Sequence, residues 1–98
     1  MYEQVLKQFR EAAARRRVYL TIHANKELKS DRLSYADIIS CLLTGEIMEQ
    51  QFDGAEEKYV VYGDALSGAE IGLAAKLAYE QSAVIITVFR LRITDYDY

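Results

Sequence analysis

The chain has no proline and no tryptophan, and only one cysteine and one histidine among its 98 residues. Each scarcity removes a class of explanation. Cys41, alone, cannot close an internal disulfide. No apolar run approaches the roughly 18 residues that span a bilayer, and no charged-then-apolar leader opens the chain. The expectation is a reducing, cytoplasmic setting without a membrane. One histidine and one cysteine cannot assemble a zinc site from soft ligands, and the acids show no calcium-loop spacing. Neither a metal nor a cofactor is expected. A G-x-S-x-G elbow and a glycine-rich phosphate loop are also missing. With no repeats and no low-complexity linker, the chain reads as a single domain over residues 1–98. Within it lie an N-terminal helix (1–17), a core (18–92) and a flexible tail (93–98).

What is present is ample apolar content, 51%, and a lopsided charge. Residues 1–32 carry eight Lys or Arg against Glu3, Glu11, Glu27 and Asp31, a net +4. Residues 33–98 carry Lys58, Lys76, Arg90 and Arg92 against eleven acids, a net −7. The whole chain repels phosphates, but a local basic face can attract them.

Tyr2, Val5, Leu6, Phe9, Ala12 and Ala13 recur at three- and four-residue spacing, which predicts an amphipathic helix over 2–16. Arg15, Arg16 and Arg17 close it, either complementing the helix dipole or holding phosphate. Residues 18–23 alternate, with Val18, Leu20 and Ile22 against Tyr19, Thr21 and His23, which predicts a strand ending at His23. A short helix or turn is expected over 24–30. Ser34 and Asp37 have the spacing of a capping box ahead of a helix with the stripe Tyr35, Ile38, Ile39, Leu42 and Leu43. Gly45 is expected to end that helix in the left-handed conformation, and Cys41 to be a packing residue.

After Gly45 the period becomes two. Strands are expected over 46–52 and 58–63, with turns at Asp53-Gly54 and Ser67-Gly68. Residues 70–80 fit a helix or a strand, with the strand slightly favoured. Residues 83–91 are β-branched on both faces and predict a central strand covered on both sides. The fold class is therefore α+β, N-terminal helices packed on a mostly antiparallel sheet of four to five strands. The other sheet face, or its edge, is left for a partner.

His23 is the one side chain that titrates near neutrality unaided. It is either a hydrogen-bonded structural histidine or an acid–base group. Thr87 interrupts an apolar strand, and Arg90 can bind an anion through its planar fork or simply extend from the sheet end. Tyr59, Tyr62 and Tyr79 can stack on bases or pack across strands.

His23-Ala24, Leu28, Asp31, Leu33-Ser34, Asp37-Ile38, Leu42 and Gly45-Glu46-Ile47, followed by Val84-Ile85-Ile86-Thr87-Val88-Phe89-Arg90, resemble the domain-of-unknown-function 4258 family over residues 20–90. That family looks like part of the RelE-like ribonuclease-toxin fold group. The resemblance implies a toxin of a two-gene toxin–antitoxin module that cleaves RNA without a metal. It implies His23 as the acid–base group, with Thr87 and Arg90 lining the site. Arg32, Lys26, Arg16, Arg17 and Tyr62 would hold substrate. The implied partners are RNA and a cognate antitoxin, and a homodimer with a second copy is a further expectation. Many members carry arginine where this chain has Glu27 and Asp31, and Arg32 is displaced by one position. The alternative is a non-catalytic protein-interaction module of the same fold.

Overall fold

The computed structural model describes residues 1–91. The apolar spacing of the N-terminal segment produces α1 (Glu3–Ala14), which buries Phe9, Ala12 and Ala13. The arginine run lies beyond its last turn. Arg16 takes φ 58°, its amide donates to Ala13 O, and the Arg17 amide donates to Ala12 O at 2.8 Å. This is a Schellman ending with arginine at the left-handed position that glycine usually fills.

The strand expected over 18–23 is shorter. β1 is Val18–Leu20, and α2 (Ile22–Ser30) begins immediately after Thr21. Thr21 has extended backbone and accepts a hydrogen bond from the Ala24 amide at 3.0 Å. It is an N-cap, and that satisfied amide outweighs continued alternation. Ile22 does not follow Val18 and Leu20 into the core; it is 79% exposed. His23 accordingly sits in the first turn of a helix, not at a strand end. α2 ends as α1 does, with Arg32 at φ 58° and the Leu33 amide donating to Leu28 O.

α3 (Tyr35–Thr44) has the full capping box, Ser34 accepting from the Asp37 amide and Asp37 from the Ser34 amide. Gly45 departs from expectation. Its backbone is extended (φ −87°, ψ 176°), and its requirement for glycine is steric. A Cβ there would stand 2.6 Å from both Cys41 O and Tyr62 O, and Gly63 meets the same Cys41 carbonyl across the strand pair. The end of α3 is pressed onto the sheet through these two glycines.

β2 (Glu46–Asp53), β3 (Glu56–Asp64), β4 (Glu70–Ala78) and β5 (Ser82–Arg90) form consecutive antiparallel pairs, and the strand reading of 70–80 holds up to Ala78. A one-turn 3-10 segment, Tyr79–Gln81, links the last two strands. The sheet order is β1-β5-β4-β3-β2, with β1 parallel to β5. Ile71, Leu73, Ala75, Val61, Tyr59, Ala83, Ile85 and Val88 alternate onto one face and close with Phe9, Ile38, Leu42 and Leu28 into a single core. This is the expected α+β arrangement of helices on a five-stranded sheet.

β5 is interior, as expected, but the described residues do not cover it on both sides. Val84, Ile86, Thr87 and Phe89 are only half-buried. Their β-branched character reflects strand propensity, not two packed layers. Phe89 lies over Gly72 and meets Tyr62 edge-on, with ring centroids 6.3 Å apart. The tail from Arg92 onward, expected to be flexible over 93–98, lies outside the described residues.

Candidate functional site

β1 is three residues long, so β5 loses its neighbour at Ile85. The start of α2 takes over that edge. The Thr21 amide donates to Ile85 O at 3.0 Å, and the Thr21 hydroxyl donates to Ile86 O at 3.3 Å. Glu27 Oε1 then accepts from the Val88 amide at 2.8 Å. Three polar backbone groups that a longer β1 would have paired are thus met by α2. A bulge between Ile85 and Thr87 advances the strand here, as bulges do where a strand is re-aimed.

The second oxygen of Glu27 lies 3.1 Å from His23 Nε2, an i,i+4 pair on one helix face. The Glu27 side chain is 27% exposed and that of His23 66%. The carboxylate is thus fixed to the sheet on one side and orients an exposed imidazole on the other. With Nε2–H donating to Glu27, Nδ1 is the nitrogen left to meet a ligand. Glu27 is the element that reading His23 as an isolated group misses. The i,i+4 spacing was its only signal, and the partner amide on β5 is invisible in sequence.

Lys26 stands one turn from His23 on exposed α2 surface. Among the described residues, the side chains of Lys26, Lys29 and Arg32 make no hydrogen bond or ion pair. The other expected cations are occupied. Arg15 donates to Gln81 Oε1 at 2.8 Å and Arg17 to Glu80 O at 2.7 Å. Both brace a turn in which Glu80 and Gln81 have φ near +58°. Arg16 reaches back to Ala13 O.

Arg90 donates to Asp31 O at 2.7 Å, at the C-terminal end of α2. His23 is at the other end, about 12 Å away at 1.5 Å per residue. Arg90 also supports Asp37. Burial, the largest influence, pushes that carboxyl up, but hydrogen bonds from the Ser34 and Leu66 amides and the Ser34 hydroxyl, with the Arg90 charge, hold it below its ordinary value.

Thr87 pairs with Ala74 on the face away from the helices. Tyr62, paired with Glu46 and Gly72, borders a hollow of acidic side chains, Glu46, Asp64 and Glu70. The structure therefore joins His23 to Glu27, with Lys26 nearby on the same helix, and keeps Thr87, Tyr62, Arg16 and Arg17 apart from them. Cys41 is fully buried, and burial, aided by the Asp64 charge, pushes its thiol up to about 12. It is a packing residue. Among the described residues no cluster of metal-ligating side chains exists, and no helix is long and apolar enough to cross a membrane.

No curated protein and no solved structure matches this chain. A family model does match, over residues 20–90, from the segment that enters α2 to the end of β5. The chain belongs to the domain-of-unknown-function 4258 family.

Proposed function

We propose that the protein is a toxin-like, metal-independent ribonuclease of the RelE-like group, acting through His23. The observation that carries this reading is the exposed imidazole held by an anchored carboxylate, beside cations that no internal bond consumes. In this chemistry Nδ1 of His23 takes the proton of a ribose 2′-hydroxyl. That oxygen attacks the adjacent phosphorus and closes a 2′,3′-cyclic phosphate, while the 5′-oxygen leaves and takes a proton from water. Lys26 offsets charge on the phosphoryl oxygens. An RNA strand running along α2 meets His23 at one end and Arg32 and Arg90 at the other. Expression should slow growth of a bacterial host, and the purified protein should cleave RNA at low salt. His23→Ala should abolish both effects. Wild-type protein that does neither defeats the proposal.

A second reading is a non-catalytic interaction module. The observation that favours it is the half-apolar outer sheet face of Val60, Tyr62, Ala74, Val84 and Phe89, which no element among the described residues covers. Such a face is suited to an antitoxin or to a second copy in a homodimer. A strict monomer in scattering experiments, with no partner recovered by pull-down, counts against it.

A further inference from the structure

The helix layer stops short of one end of the sheet. At the β2–β3 turn, Phe52, Glu57, Tyr59, Leu77 and Tyr79 line an open cleft of about 680 Å³. α1 reaches only as far as Tyr59, which Tyr2 and Phe9 contact edge-on. Phe52 is 68% exposed and Tyr79 is 91% exposed. Two large aromatic side chains left in water around one cavity are unusual for a surface that meets only solvent.

The cleft is net acidic, lined by Glu56 and Glu57 against Lys76. Lys76 is paired with Glu56 at 2.7 Å and Lys58 with Asp53 at 3.0 Å. Glu57 has no cation among the described residues. Its oxygens accept from the Gln50 amide at 3.1 Å and the Tyr59 hydroxyl at 3.4 Å, both neutral donors. Burial first, and then the Glu57 charge, push the Tyr59 hydroxyl above its ordinary value, consistent with a negative potential there. A carboxylate ringed by aromatic rings suits a cation, above all a planar guanidinium.

The cleft continues into a free strand edge. Among the described residues β2 is last in the sheet and pairs only with β3. Along it Glu46, Glu49 and Asp53 are exposed, with no lysine or arginine. A second copy does not fit well: its own β2 brings no lysine or arginine to meet Glu46 and Glu49. A basic strand supplies them.

We propose that β2 and this cleft form a docking site for an extended basic segment of a partner protein. Its backbone adds to the β2 edge as a further strand, and one arginine enters the cleft to meet Glu57 between Phe52 and Tyr79. The site is toward the opposite edge of the sheet from His23, so it stands independently of the ribonuclease reading.

The test is a titration of the isotopically labelled protein with a short capped peptide alternating arginine and valine. Controls are the same peptide with glutamate for arginine, and arginine amide alone. The proposal expects amide shifts along β2 and around Glu57 and Tyr79, with slowed exchange of β2 edge amides. Glu57→Gln should weaken binding about fivefold, the scale of an exposed charge pair, and Phe52→Ser should weaken it similarly. Both side chains are exposed, so both variants should keep the wild-type fold. Shifts that map to other acidic surface, insensitivity to both substitutions, or equal shifts from arginine amide alone would each overturn it.

Discussion

Replacing Glu27 with alanine should cost this protein more stability than replacing His23, although His23 is the residue that draws attention in the sequence. The Glu27 carboxylate is the acceptor for the Val88 amide, and the part-buried contact spans 61 residues of sequence. A charged acceptor on a backbone N–H contributes about 1.5–3 kcal/mol. Glu27 is roughly a quarter exposed, and water can reach the freed amide in part, so the expected loss is about 1.5 kcal/mol. For a domain of this size that lowers the melting temperature by roughly 6–12 °C. His23→Ala removes only an exposed pair and should cost under about 0.5 kcal/mol. Glu27→Gln keeps an oxygen for Val88 and should fall between the two. Thermal unfolding followed by circular dichroism gives the ranking, and hydrogen exchange at Val88 locates it. If Glu27→Ala melts within about 2 °C of wild type with Val88 protection unchanged, the anchoring account is wrong.

Other expectations follow from the same contacts. Asp37→Asn should lose about 1 kcal/mol at neutral pH. Because the folded carboxyl sits below its ordinary value, its contribution is present above the unfolded pKa and is lost as pH falls through the folded one. The wild-type advantage over Asp37→Asn should therefore shrink on acidification, and an unchanged gap at low pH would contradict it. Arg16→Gly should raise stability by about 0.5–1 kcal/mol, because φ 58° strains any side chain. A lower denaturation midpoint would show that the Arg16 contact to Ala13 O matters more. Cys41 should resist thiol reagents at pH 8 in the folded protein and react once denatured, as a buried thiol pushed up to about 12 requires. Rapid native labelling would argue against that packing.

Local chemistry was sufficient for most elements. The apolar period marked α1, Ser34 with Asp37 marked the start of α3, and Asp53-Gly54 and Ser67-Gly68 marked turns that the structure contains. Each is a short-range effect carried by neighbouring residues. Two local signals misled. The alternation of 18–23 competed with a cap at Thr21 and lost. Gly45 has the composition of a left-handed helix end, but it is needed because β3 and the Cys41 carbonyl leave no room for a Cβ.

Tertiary structure decided the rest. The sequence determined that a basic, helical third precedes an acidic sheet, since composition and period are local properties. It could not determine that most of the flagged arginines are occupied by the chain's own carbonyls and a side-chain amide, at Ala13, Asp31, Glu80 and Gln81. Nor could it reveal that Glu27 joins His23 to the Val88 amide. Those pairings depend on β1 crossing to lie parallel to β5 and then stopping short. Only the assembled sheet brings α2 to the edge that β1 leaves open.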